Sequence, residues 1–334
     1  MESLLDAVDG EAIRTGFSGV VRVDRLGVEE LVRAYGSADR AHRVPSTVET
    51  MFATASGSKS MTALVVMSLV EQGTFHLETT ARSLLGPDLP LISDDVTIEH
   101  LLAHRSGIGD YLDEDAIDDI SDYLMPVGVH ELATTEQFVP VLDGHPTVFP
   151  AGERFAYNNG GFVVLALLAE RASGVRFHDL VRTLVCEPAG MVDTEFLRSD
   201  ELPGRAALGY LAADGLRTNV FHLPVRGNGD GGIYSTAADL SAFWDALFAG
   251  RLVALDRLEQ MLRPRSEWPE ESRRYGLGFH LDATGDGVWL EGHDAGVSMV
   301  SQHDPRTSIT CTVLANWSEG AWPMVKMLGR RLGI

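Results

Sequence analysis

Ser56 and Lys59 stand three residues apart in "ATASGSKSMTAL" (53–64), and together they can do chemistry that neither does alone. Positions three apart on a helix share a face, so a hydroxyl and an amine come within hydrogen-bonding reach. A serine hydroxyl is a weak nucleophile until a neighbour takes its proton. Lysine can take it only as the neutral amine, which requires burial or a second cationic field to lower its usual pKa of about 10.4. Residue usage sharpens this reading. Of the 27 basic side chains all but Lys59 and Lys326 are arginine. Arginine serves wherever only charge matters, but it cannot release its proton in a protein. Position 59 therefore holds the cation that base chemistry needs. A serine at a helix N-terminus also has unpaired backbone N–H groups beside it, and these can stabilise an oxyanion.

Elements able to position this pair are legible around it. Residues 57–73 form a segment apolar on most faces and ending at Gly73, which predicts a buried helix with Ser56 at its N-terminus. Upstream, 17–36 reads as a hairpin turning at Leu26 and Gly27. From about 97 to 260 helical segments alternate with glycine- and proline-rich loops. They include 158–174 and 235–250, the latter with Ser235 or Thr236 as its cap. After 274 come short strands, "YGLGFHLD", "GVWLEG", "GVSMVSQHD" and "SITCTVLAN", then an amphipathic helix from about Trp322. Strands at both ends around a helical middle predict an α+β fold with one antiparallel sheet drawn from the N- and C-terminal segments. The expected division is an α/β subdomain of about 1–80 plus 260–334 and a mainly helical subdomain of about 81–259.

Alone, Ser-x-x-Lys recurs by chance in many proteins. Two further stretches give it company: "FPAGERFAYNNGGF" (149–162), which holds a Tyr-x-Asn at Tyr157 and Asn159, and "LEGHDAGVSMVS" (290–301), which holds His293, Asp294, Ala295 and Gly296. In order and spacing the three resemble the active-site elements of the serine β-lactamase and penicillin-binding protein superfamily. The likeness is to its class C, D-alanyl-D-alanine carboxypeptidase, D-aminopeptidase and family VIII esterase branch. "TIEHLLAHRSGI", "VCEPAGMVDTEF" and "GDGGIYSTAADLSAFWDALFAG" resemble framework signatures of the same family, and the likeness runs from about Phe17 to the C-terminus.

The resemblance implies a β-lactamase/transpeptidase-like fold and a serine hydrolase working through an acyl-enzyme. Ser56 would be the nucleophile, Lys59 its base partner, and Tyr157 a base for acylation and an acid for the leaving group. Asn159 would orient the lysine or a substrate amide. For Tyr157 to ionise, the field of Lys59 would have to lower a phenol pKa near 10. The third element departs from the Lys-Thr-Gly or His-x-Gly pattern, since Ala295 replaces a glycine and its methyl is expected to crowd a bulky acyl group. His293 in place of lysine weakens the hold on a substrate carboxylate. The backbone N–H of Gly296, or of a close neighbour, is the expected second oxyanion donor beside that of Ser56. These departures favour small esters or amides over β-lactams and D-Ala-D-Ala peptides. A D-amino-acid amidase or aminopeptidase, a penicillin-binding DD-peptidase or β-lactamase, and a non-catalytic binding or assembling member are the alternatives. His104 is assigned to framework, and 110–124 to a solvated flap rather than a calcium loop.

Composition bounds the partners. A net charge of −21 over 334 residues argues against nucleic acid and anionic lipid, leaving small-molecule substrates. The acidic N-terminal stretch lacks the basic start of a signal peptide, and ten apolar residues in "MTALVVMSLV" are too few to span a bilayer. A cytoplasmic location is therefore expected. Cys186 and Cys311 read as separate buried thiols, no metal or cofactor motif occurs, and the oligomeric state is left open.

Overall fold

The computed structural model describes residues 3–114 and 117–334. Its frame is an eight-stranded antiparallel sheet drawn from both ends of the chain. β1 (Gly19–Arg25) and β2 (Val28–Tyr35) form the expected hairpin, joined by Leu26 and Gly27 at φ 54° and 72°. Positive φ at both turn residues suits the twist of the strands they connect. The others are β3 (Ser266–Trp268), β4 (Arg273–Tyr275), β5 (His280–Asp282), β6 (Val288–Asp294), β7 (Val297–Asp304) and β8 (Ile309–Ala315). Their spatial order is β2-β1-β8-β7-β6-β5-β4-β3, so the N-terminal hairpin closes onto the last strand. The stretch 275–282, expected as one strand, is divided between β4 and β5. Gly276 donates to the Phe279 carbonyl across a turn, and Gly278 has φ 81°.

Both faces of this sheet are covered. On one lie α1 (Leu4–Thr15) and the C-terminal helix α6 (Trp322–Leu332), whose Val8, Ala12, Met324 and Leu328 pack with Val21, Val23, Cys311 and Val313. Against the other lie α2 (Lys59–Glu71) and α5 (Ala237–Phe248), in the core that holds Met299 and Leu314. Strands β7 and β8 are consequently buried at every position. α2 is buried from Lys59 through Val70, in keeping with its apolar character on most faces. The helical part adds α3 (Ile98–Leu102) and α4 (Asn159–Ser173), the latter packed on α2. Thr236 caps α5 by accepting from the Asp239 N–H at 3.1 Å. Both cysteines are free and buried. Among the described residues no helix is long and apolar enough to cross a membrane.

Candidate active site

Ser56 lies in a short 3-10 turn, Ala55–Ser58, that runs directly into α2, so the helix expected from residue 57 opens as this turn and becomes α-helical at Lys59. Ala55 immediately before it has φ 44°, an unfavourable conformation for a residue with a side chain. Strained backbone of this kind persists only where the surroundings enforce it. Here β6 supplies that enforcement. Gly292 approaches so closely that a Cβ would lie 2.0 Å from the Thr54 carbonyl oxygen.

Lys59 is 3% exposed, and its Nζ has three partners: Ser56 Oγ at 2.8 Å, Asn159 Oδ1 at 2.7 Å and the Asp230 carbonyl oxygen at 2.7 Å. The orientation of Asn159 is fixed from behind, because its Nδ2 donates to the Leu112 carbonyl and to Glu114 Oε1. Two of the three lysine partners are thus carbonyl oxygens that can only accept. A neutral amine would give its two N–H groups to them and turn its lone pair to the Ser56 hydroxyl, the one partner with a proton to offer. Burial lowers the lysine pKa, against the opposing pull of Asp230, Glu114, Asp110 and Asp294.

Tyr157 precedes α4, whose first residue is Asn159. Lys59 Nζ is 5.0 Å from the centre of its ring. The expectation that Lys59 lets this phenol ionise is not met in the free protein. Burial, then Glu114 and Tyr275, hold the Tyr157 pKa well above 10, and the contact with Ser56 only partly offsets them. Tyr157 stands beside the nucleophile as a protonated group able to donate.

The third element is arranged differently from expectation. β6 ends at Asp294 and β7 begins at Val297, so Ala295 and Gly296 form a two-residue turn, with Gly296 at φ 74°. The turn is held by residues distant in sequence. Asn219 Nδ2 donates to the Ala295 carbonyl at 2.9 Å, and a Cβ on Gly296 would lie 2.9 Å from the Gly209 carbonyl carbon. Ala295 is 1% exposed and does not line the cleft, so its methyl does not crowd an acyl group there. The Gly296 N–H donates to Ser318 Oγ at 2.9 Å and is committed to that bond rather than held ready for an oxyanion. His293 does face the cleft, with Nε2 3.0 Å from Glu319 Oε1, which gives the imidazole an acidic partner of its own.

Several polar residues to which the sequence assigned no catalytic role stand at the site. Asp110 accepts from the backbone N–H groups of Asn159 at 2.5 Å and Gly160 at 2.8 Å, fastening the start of α4 as a capping carboxylate does. Burial raises its pKa to about 6 despite those bonds. Tyr111 donates its phenol to the Asp230 carboxylate, and Asp294 is pushed to about 7 by burial, with Glu114 and Asp230 adding to the shift. The first part of the acidic run is therefore a wall of the site and not a solvated flap. Asp118, Asp119 and Asp122 farther along are exposed, while 115 and 116 fall outside the described residues. The signal was present in the alternation of Asp110 and Glu114 with Tyr111 and Leu112, an apolar-polar mix unlike a solvated run.

These residues converge on a cleft lined by Ser56, Asn159, Glu114, Asp230, His293 and Asp294 among others. The sequence between Leu4 and Leu332 matches the family model described as Beta-lactamase. The chain belongs to the beta-lactamase family. It is 28% identical over 295 residues to a penicillin-binding protein of Bacillus subtilis, covering 84% of this chain and 63% of that one. Esterase EstB of Burkholderia gladioli is 32% identical over 223 residues, covering 62% of this chain and 54% of that protein. The chain thus spans about three fifths or less of these two relatives. The crystal structure of a penicillin-binding protein from Bacillus halodurans superposes with a TM-score of 0.90 at 33% identity, covering 97% of this chain and 99% of that one. The fold is the β-lactamase/transpeptidase fold, with its large antiparallel sheet and helices.

Proposed function

We propose that this protein is a serine hydrolase that cleaves small, uncharged carboxylic esters through an acyl-enzyme on Ser56. The observation that carries the reading is the partner set of Lys59, two carbonyl acceptors and the Ser56 hydroxyl, around an amine whose pKa burial lowers. In acylation the Ser56 Oγ–H proton passes to Lys59 Nζ as Oγ bonds to the substrate carbonyl carbon. The backbone N–H of Ser56 favours the resulting oxyanion. As the intermediate collapses the bond to the leaving oxygen breaks, Tyr157 donates a proton to it, and Lys59 returns its proton toward the phenolate. Water then attacks the acyl-enzyme by the reverse sequence, releasing the acid and restoring Ser56.

Charge supports an uncharged substrate. Glu114, Asp230 and Asp294 line the cleft around the nucleophile, and His293 already has Glu319 as its partner, so a substrate carboxylate would meet repulsion and, among the described residues lining the cleft, no free cation. That disfavours β-lactams and peptides ending in a carboxylate. The same acids would attract an ammonium group, which makes amides and esters of amino acids the second reading. Two free buried thiols fit a reducing compartment, and we place the protein in the cytoplasm, a location that cell fractionation tests.

The experiment is parallel turnover of a short-chain neutral ester, a D-aminoacyl anilide and a chromogenic cephalosporin, with Ser56→Ala as control. The neutral ester should turn over fastest and the cephalosporin slowest. Preference for the aminoacyl substrate would install the second reading. Inert behaviour toward all three would leave a binding protein built on a hydrolase fold.

A further inference from the structure

We propose that His104, assigned to framework from sequence, is the residue that positions Tyr157 for proton transfer. Its contacts bracket the tyrosine on both sides. The Ala156 N–H donates to the His104 carbonyl oxygen at 2.9 Å, and the Asn158 N–H donates to His104 Nδ1 at 3.0 Å. The residues on either side of Tyr157 are therefore both held by one residue, Ala156 through its main chain and Asn158 through its side chain. The imidazole also lies against the phenol, with ring centres 4.4 Å apart. Trp268 and His280 face the same phenol ring at 5.8 and 6.3 Å, completing a box that leaves Tyr157 little freedom to tilt.

Two features set His104 apart from an ordinary packed residue. It follows α3 with φ 52°, a conformation costly for a residue with a Cβ and tolerated where the surroundings over-determine it. It is also 1% exposed with Nε2 lacking a partner among the described residues. Because Nδ1 accepts from Asn158, the neutral ring must carry its proton on that unpartnered Nε2. An unsatisfied buried N–H and a left-handed backbone both cost stability. The arrangement is kept at a net loss that the placement of Tyr157 explains. A leucine would remove the orphan donor at Nε2 only by leaving the Asn158 N–H without its acceptor.

The proposal rests on the reading of Tyr157 as proton donor in ester hydrolysis, so its test depends on the leaving group. An alkyl ester needs a proton delivered to the departing alkoxide; a nitrophenyl ester does not. Glycine at 104 keeps the left-handed backbone and the Ala156 bond while removing Nδ1 and the ring. Asparagine also tolerates that backbone and restores an acceptor for the Asn158 N–H. His104→Gly should lower kcat for the alkyl ester about ten- to hundred-fold, the scale of an ångström-level misplacement, with KM within about twofold. Its acylation rate with the nitrophenyl ester, read from the burst of nitrophenolate, should fall far less, and His104→Asn should recover most of the alkyl-ester rate.

Equal losses on both esters, a change confined to KM, or full activity in a folded His104→Gly protein would each overturn the assignment. So would failure of both variants to fold, since His104 would then be a folding residue. If the parent protein cleaves neither ester through Ser56, the functional reading itself fails, an outcome separate from any result at position 104.

Discussion

At the scale of single residues the account turns on where protons reside. Ser56→Ala should abolish ester turnover, and Lys59→Arg should reduce kcat by at least about a hundredfold although it keeps a cation. A folded Lys59→Arg protein with near-parent kcat would remove the neutral amine from the mechanism. Asp294 gives a sharper test because it raises the lysine pKa, while its own carboxyl is held at about 7 instead of near 3.8. Asp294→Asn deletes a negative charge that favours the ammonium, so the rising limb of kcat/KM against pH should move to lower pH; movement to higher pH would contradict the assignment. The same group bears on stability. A carboxyl whose folded pKa is raised contributes stability that is full below about pH 4 and lost as pH rises through 7. The melting temperature of Asp294→Asn should therefore climb relative to the parent between pH 5 and 8, and a shrinking gap would count against the burial of Asp294.

At the scale of elements the site depends on β6 pressing against the turn that carries Ser56. Gly292→Ala places a methyl 2.0 Å from a backbone oxygen, so strand and turn must separate. The variant should lose about 1–3 kcal/mol in denaturant unfolding and at least tenfold in kcat, and a protein unchanged in both would contradict the role given to this contact. The elements were legible where one signal decided them. The Leu26-Gly27 turn, the largely apolar α2 and the Thr236 cap of α5 each follow from local chemistry. The direction of the Ala295-Gly296 turn did not, because it is set by Gly209 and Asn219, some eighty residues away. Local sequence likewise cannot report that Glu114 fixes the amide of Asn159, or that Asp110 caps the helix beginning there.

For the molecule as a whole, the two chain ends share one sheet, and the order of strands, helices and strands was enough to anticipate that closure. Electrostatics at this scale reinforces the cleft. With a net charge of −21 and acids around Ser56, the protein repels anionic substrates before they reach the nucleophile. An ester bearing a carboxylate should show a lower kcat/KM than its neutral analogue, with the gap narrowing as added salt shortens the screening length from about 10 Å at 0.1 M to about 3 Å at 1 M. A gap insensitive to salt would assign the discrimination to close contacts instead of the overall field. The most direct measurement is the intact mass of the protein quenched within seconds of mixing with a short-chain activated ester, beside Ser56→Ala. The account predicts a transient gain of one acyl group, mapped by peptide fragmentation to Ser56 and missing from the variant; turnover without that adduct in a time-resolved series, or the same adduct in Ser56→Ala, would contradict it.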